Sequence, residues 1–368
     1  MKPAFAFLGL AAGALALAAT MPRDAGALPP PMVNDALIQG DSLPRALGDY
    51  GFFTDGAARN PVGALKPYEL NTPLWSDGAD KLRYIYLPQG TQIAADGAGL
   101  LQFPVGSAII KTFAFGEGEE QRFIETRLLL HRADGWVALP YRWNAEQTEA
   151  RLALAGARIA LTTPAGDELS YRIPNKNQCK SCHSKDGEVV PIGPRARNMS
   201  GEWLADMHAH GALDRVPEGA DSLPVWDAAW NAGSNDYAAH GAIATAALAR
   251  AYLDVNCAHC HQPGGGASNS GLDLRWEQGD AFAYGVNKPP VAAGQGAGGL
   301  LVSIEPGDPD ASILVHRMNS NQPGVAMPEL GRSTIDQRAV ALMRDWIANM
   351  GQDGAAKTAD NRAQGDGE

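Results

Sequence analysis

The spacing of hydrophobic and polar positions changes character about halfway along the chain. Between residues 40 and 174 apolar side chains alternate with others at period two. Residues 81–87 (Lys-Leu-Arg-Tyr-Ile-Tyr-Leu) alternate in this way, and Ala108-Ile109-Ile110-Lys111-Thr112-Phe113 follows the turn-forming Phe103-Pro104-Val105-Gly106. Residues 122–131, 136–143, 158–163 and 169–173 read as further short strands, separated by Ala133-Asp134-Gly135 and Pro164-Ala165-Gly166-Asp167. Alternation puts every second side chain on one sheet face. Many short strands with turns between them predict an antiparallel sandwich or barrel.

Beyond residue 175 the text is richer in Pro and Gly, and strong period-two alternation ends. A short helix is predicted over 201–211, and an Ala- and Leu-rich one over 242–253, leading into Cys257. Gly264-Gly265-Gly266 and the Gly-rich stretch 294–299 interrupt regular structure. Asp308-Pro309 reads as an N-cap with Pro at the first helical position, opening a helix over 310–318. The last helix is the clearest: Thr334 and Gln337 suit a capping box. Ile335, Ala339, Leu342, Met343, Trp346, Ile347 and Met350 recur on one face, and Gly351 stops it. The expected fold class is therefore multidomain α+β: an N-terminal antiparallel β-rich, sandwich- or barrel-like domain followed by a mostly α-helical region.

The first residues add an address. Met1-Lys2-Pro3 precedes an Ala/Leu/Gly/Phe run over 4–19, and Ala25-Gly26-Ala27 has the small-x-small form of a cleavage site. This is the pattern of a secretory signal peptide over 1–27, short of the ~20 apolar residues of a spanning helix. Pro29-Pro30-Pro31 lies in a stiff linker over 28–39. The other expected segments are 40–174 (β-rich), 175–239 and 240–351, with a polar, disordered tail over 352–368. No later segment is apolar enough to span a membrane. The formal charge of −11 argues against nucleic acid and favours basic partner surfaces.

The four cysteines carry the chemistry. All belong to two copies of Cys-x-x-Cys-His: Cys179-Lys180-Ser181-Cys182-His183 and Cys257-Ala258-His259-Cys260-His261. That is the attachment signal for c-type haem: two thiols at a reach that suits the porphyrin vinyls, then an imidazole placed to ligate iron. A thioredoxin-type pair or a four-cysteine zinc site would need no His directly after the second Cys. Two covalent haems are expected, with His183 and His261 as proximal iron ligands. Covalent attachment happens outside the cytoplasm, so the address and the cysteines agree on the periplasm.

A thioether on the far side of iron makes a six-coordinate electron-transfer centre. For the second haem the candidate is Met327, in a loop before the last helix with Pro328 behind it; Met318 is the runner-up. For the first haem Met199, Met207, His208, His210, His240 and a ligand from the β-rich domain all stay open. His131, His259 and His316 read as bystanders.

Certain segments, taken together, resemble a family of bacterial dihaem c-type cytochromes with an N-terminal β-rich domain. They are Tyr50-Gly51-Phe52-Phe53, Leu70-Asn71-Thr72-Pro73-Leu74, Phe103-Pro104-Val105-Gly106, Glu125-Thr126-Arg127-Leu128-Leu129 and Asn177-Gln178-Cys179. Arg250-Ala251-Tyr252-Leu253-Asp254 and Met327-Pro328-Glu329-Leu330-Gly331-Arg332 complete the set. The resemblance implies haem c, a periplasmic location and electron transfer, and names no substrate. The expected role is electron transfer between a periplasmic redox enzyme, such as a dehydrogenase, and a downstream acceptor. The alternative is a dihaem peroxidase-like enzyme with an open first haem, in which Glu188 and Arg195 or Arg197 would supply acid and charge.

Overall fold

A single antiparallel meander organises the chain. The computed structural model describes residues 32–163, 166, 168–226 and 241–350. The expected leader, tail, Gly351 stop and His240 lie outside the described residues. Six strands run in sequence order across one sheet: β1 (Leu65–Pro67), β2 (Asp80–Tyr86), β3 (Ala108–Phe115), β4 (Arg122–Arg132), β5 (Gly135–Trp143) and β6 (Ala150–Leu152). A separate hairpin pairs β7 (Ala157–Thr162) with β8 (Glu168–Ile173), and a two-residue one pairs β9 (Ser184–Lys185) with β10 (Glu188–Val189). The expected sandwich or barrel is corrected to an open sheet. The short strands do alternate, but each pairs with its chain neighbour, and among the described residues neither closure nor a second large sheet follows.

Register explains what covers the two faces. Ile110, Leu128 and Leu139 align across β3, β4 and β5 and face one way. They pack with Ile38, Leu47, Tyr50 and Phe52 from the N-terminal segment, whose helix α1 (Asp35–Gln39) falls in the stretch expected to be a linker. Ile109, Leu129 and Ala138 align on the opposite face. They pack with Cys179, Met199, Leu204 and Met207 from the chain that follows the sheet. A half-buried sheet would show polar residues on one face; here both faces are covered.

The region after residue 175 is not mostly helical. Among the described residues it holds α2 (Lys176–Cys182), α3 (Gly201–Ala209), α4 (Gly241–Asn256), α5 (Ala281–Tyr284), α6 (Ile313–Met318) and α7 (Gln337–Asn349), with long irregular segments before α5, α6 and α7. Among the described helices only α4, with 16 residues, and α7, with 13, exceed nine residues. The physical reason is the punctuation. Gly285, for example, takes φ 113° and ends α5 after one turn, a conformation closed to most side chains. α6 begins at Ile313, later than predicted, because Asp308 Oδ1 accepts from the amides of Asp310 and Ala311 and holds a turn there. α7 is capped by Asp336, which accepts from Ala339 N at 3.1 Å, and the Thr334–Gln337 box is not made. Thr334 instead gives its amide (2.8 Å) and hydroxyl (2.9 Å) to Asp77.

The apolar face of α7 meets α4 as its period requires: Leu342, Met343, Trp346 and Ile347 pack with Leu248, Tyr252 and Leu253. Residues 71–77 tie these parts to the sheet. Thr72 and Asn198 exchange two bonds of 2.8 Å, and Trp75 N donates to Asn256 Oδ1 at 2.8 Å. The described residues thus belong to one compact unit, not to a β domain with a separate helical one. Among them no helix is long and apolar enough to cross a membrane.

Candidate functional site

The first cysteine motif is built by a helix the sequence reading passed over. Asn175 Oδ1 accepts from Gln178 N (2.8 Å), and Gln178 Oε1 accepts from Asn175 N (2.9 Å). This reciprocal cap starts α2. The helix carries Cys179 and Cys182 three residues apart, hence on one face, and ends with His183 at its C-cap. The β9–β10 hairpin then turns the chain back. His183 Nδ1 lies 2.9 Å from Val190 O. A carbonyl only accepts, so Nδ1 carries the proton and Nε2 keeps its lone pair free for a ligand role.

The second motif follows α4 without a break: Cys257 N donates to Leu253 O (2.9 Å) and His261 N to Cys257 O (3.0 Å). His261 Nδ1 lies 2.9 Å from Ser270 Oγ, whose own hydroxyl donates to Ala267 O at 2.7 Å. Ser270 therefore accepts from His261, and the same tautomer results. Neither Nε2 has a hydrogen-bond partner among the described residues. Burial, aided by Lys111, lowers the His183 pKa to about 3, and burial, aided by His259 and Arg317, lowers that of His261 to about 4. Both rings are neutral at ordinary pH, the state a metal ligand requires.

The two motifs open into one cavity of about 630 Å³. Its floor is the sheet face bearing Ile109, Lys111, Arg127, Leu129 and Ala138; Tyr252, Tyr284, Met318 and the loop 327–332 form its far wall. The motif segments touch each other. Asp186 N donates to Gly264 O at 2.9 Å, and Lys185 bridges Gly265. A Cβ on Gly266 would lie 2.8 Å from Ser181 O, so only glycine permits this approach. As a result the donor atoms of Cys182, His259 and Cys260 all lie within 4.8 Å of one another. The Cys260 thiol donates to Ser181 O at 3.8 Å; the neighbouring Cys260 holds the Cys182 thiol low, and Cys182 in turn pushes Cys260 up. Burial raises Cys179, and pushes Cys257 up to about 12.

Met327 reaches the cavity wall in a loop strapped by arginines. Met327 N donates to Arg317 O (3.0 Å), Arg317 Nε to Val325 O (2.9 Å), and Arg332 to the carbonyls of Ser320 (2.6 Å) and Thr334 (2.9 Å). Met318 also lines the wall, from within the α4–α7 core. The candidates between the motifs are not brought there. Met199 and Met207 are buried in the core beneath the sheet, while His208 and His210 bind the carbonyls of Leu213 and Asp206. Glu188 is exposed, and Arg195 and Arg197 both engage the buried Asp254 at 3.0 and 2.9 Å. No acid-and-cation pair for peroxide chemistry forms from these three.

Sequence reading missed three contributors, Lys111 and Arg127 on the floor and Ser270 behind His261, and it set aside as a bystander His259, which the fold places beside the thiols. One signal was present, since Lys111 is the sole charge in the strand from Ala108 to Phe115. The residues fit a c-type haem at each motif: paired thiols one turn apart, a neutral imidazole with Nδ1 already committed, and walls mixing apolar and cationic groups. Comparison of the chain with protein-family models, with curated proteins and with solved structures finds no match.

Proposed function

We propose that this chain is a dihaem c-type cytochrome that passes electrons between a periplasmic redox enzyme and a downstream acceptor. One observation carries the reading. Both motif histidines give Nδ1–H to the protein and keep Nε2 free at a cavity that both pairs of thiols also line. Haem supplies a one-electron couple when bound. The chain's own part is to hold each group by its thiols, fix each imidazole, and bring the two attachment segments into contact. The strapped Met327 supports a thioether ligand on the second iron. The acidic balance of −11 supports basic redox partners, met faster at low salt.

The test is to produce the full chain in a periplasm that matures c-type cytochromes. Haem remaining on the denatured chain is then counted by its pyridine spectrum and by intact mass. Two covalent haems per chain are expected, and one each in the Cys179→Ala/Cys182→Ala and Cys257→Ala/Cys260→Ala variants.

A second reading rests on the Cys182, His259 and Cys260 cluster, which offers two sulfurs and a nitrogen to a zinc-like ion with a fourth position open. The two readings exclude each other, because thioethers to haem use up those thiols. A chain with one equivalent of zinc and no covalent haem would establish the second and end the first.

A further inference from the structure

We infer that Lys111 would supply its amine, alongside the His183 imidazole, to hold the iron of the first haem, an inference that rests on the haem reading above. Lys111 stands in β3 on the sheet face that floors the cavity beside the first motif. Its register partners are Arg83 on β2 and Arg127 on β4, so three cationic side chains lie abreast across three strands. Like charges directly opposite one another destabilise a sheet, and such a row needs a reason.

Two of the three are accounted for. Arg127 is held by both oxygens of the fully buried Glu125, at 2.8 and 2.6 Å, and Glu125 also receives the Tyr171 hydroxyl at 2.7 Å. Arg83 donates to Lys81 O at 3.1 Å. Lys111 has no hydrogen bond and no ion pair with any described residue; its amine lies 5.2 Å from the centroid of the Phe113 ring. An ammonium there would sit unpaired between two guanidinium groups. A neutral amine meets no such repulsion and keeps its lone pair for a metal. The environment acts in that direction, because burial, then Arg127 and Arg83, bring the Lys111 pKa down to about 7.

Ile109 and Leu129, on the same sheet face as Lys111, pack with Cys179 of the first motif. The other floor residues offer nothing comparable: Ile109, Leu129 and Ala138 are apolar, and Arg127 has no lone pair to give. The phenol of Tyr68 is pushed up to about 12 by burial, away from the phenolate that would bind iron.

The test uses the full chain with both haems. Covalent haem is counted first, on denatured protein; fewer than two per chain overturns the parent reading and this inference together. Electron paramagnetic resonance and near-infrared magnetic circular dichroism are then recorded on the oxidised protein and on Lys111→Leu and Lys111→His. We expect two low-spin irons in the unsubstituted protein, one of them with the charge-transfer band of amine ligation. Lys111→Leu should turn that iron high-spin and open it to carbon monoxide, and Lys111→His should restore a low-spin signal. Two low-spin irons that persist in Lys111→Leu would overturn the inference, and Lys111 would then be a partner for a haem carboxylate. A high-spin first iron in the unsubstituted protein would overturn it as well. If Lys111→Leu does not fold, the near-infrared band of the unsubstituted protein decides alone.

Discussion

At the scale of single residues, the hydrogen bonds behind the proposed iron ligands matter as much as the ligands themselves. Val190 O and Ser270 Oγ set which nitrogen of His183 and His261 is available. Ser270→Ala removes one of these supports while leaving the thiols alone. Losing such a partner typically costs ~10–100-fold in metal affinity or activity. We expect covalent haem to be retained at two per chain and the potential of the second haem to shift, read by redox titration. Met327→Ala should leave the second iron open to carbon monoxide, and an unchanged spectrum and potential would remove Met327 from the ligand set.

Asp254 gives a prediction of another kind. Its side chain is fully buried and accepts from Arg195, Arg197 and Trp276 N. Burial alone would raise its pKa, but Arg195 and Arg197 lower it below the ordinary value. A depressed folded pKa means that the stabilisation is complete above the unfolded value of about 3.8 and is lost as pH falls through the folded one. Asp254→Asn leaves two buried guanidinium groups short of a counter-charge, so a loss of ~3–5 kcal/mol is expected. Urea unfolding at pH 7 measures it, and the gap to the unsubstituted protein should narrow below about pH 4.

At the scale of elements, the strands were legible because alternation is a local property. β2, β3, β4, β5, β7 and β8 start and end within two residues of their predicted bounds. β1 and β6 were not legible: three residues are too few for a period, and each exists only through its neighbour's edge. α2 had a readable signal in Asn175 and Gln178, which the Pro/Gly character of its surroundings outweighed. The start of α7 was misread because Thr334 is claimed by Asp77, a residue more than two hundred positions away. Capping residues compete for partners across the whole chain, and a local motif cannot see that competition. The contact between the motif segments is an element-level device with its own test. Gly266→Ala puts a methyl against Ser181 O, and overpacking of this kind costs ~1–3 kcal/mol. We expect lower thermal stability and, in the dihaem protein, weaker magnetic coupling between the irons. Normal coupling with unaltered stability would show that the segments do not need this approach.

At the scale of the whole molecule, the sheet and the motif region depend on each other. Ile85, Ile109, Leu129 and Ala138 find their cover in the chain after residue 175. A fragment ending at Pro174 would expose that face together with Lys111 and Arg127. We expect it to aggregate or bind hydrophobic dyes, and the full chain to unfold in one transition by fluorescence and by haem absorbance. Two separate transitions, or a well-folded fragment, would restore a two-domain description.

What the sequence by itself determined is everything set by short spacing. That covers the strand alternation, the apolar face of α7, and the two pairs of thiols each followed by an imidazole. Only the tertiary structure decided that both motifs face one cavity and that Cys182 and Cys260 are neighbours. It alone showed that Met199 and Met207 are core residues, and that a lysine from the sheet lies beside the first motif. The physical reason is range. Periodicity and motif spacing report where side chains sit on their own helix or strand. Which face meets which depends on register, on glycine-permitted close approach, and on hydrogen bonds between residues far apart in the chain.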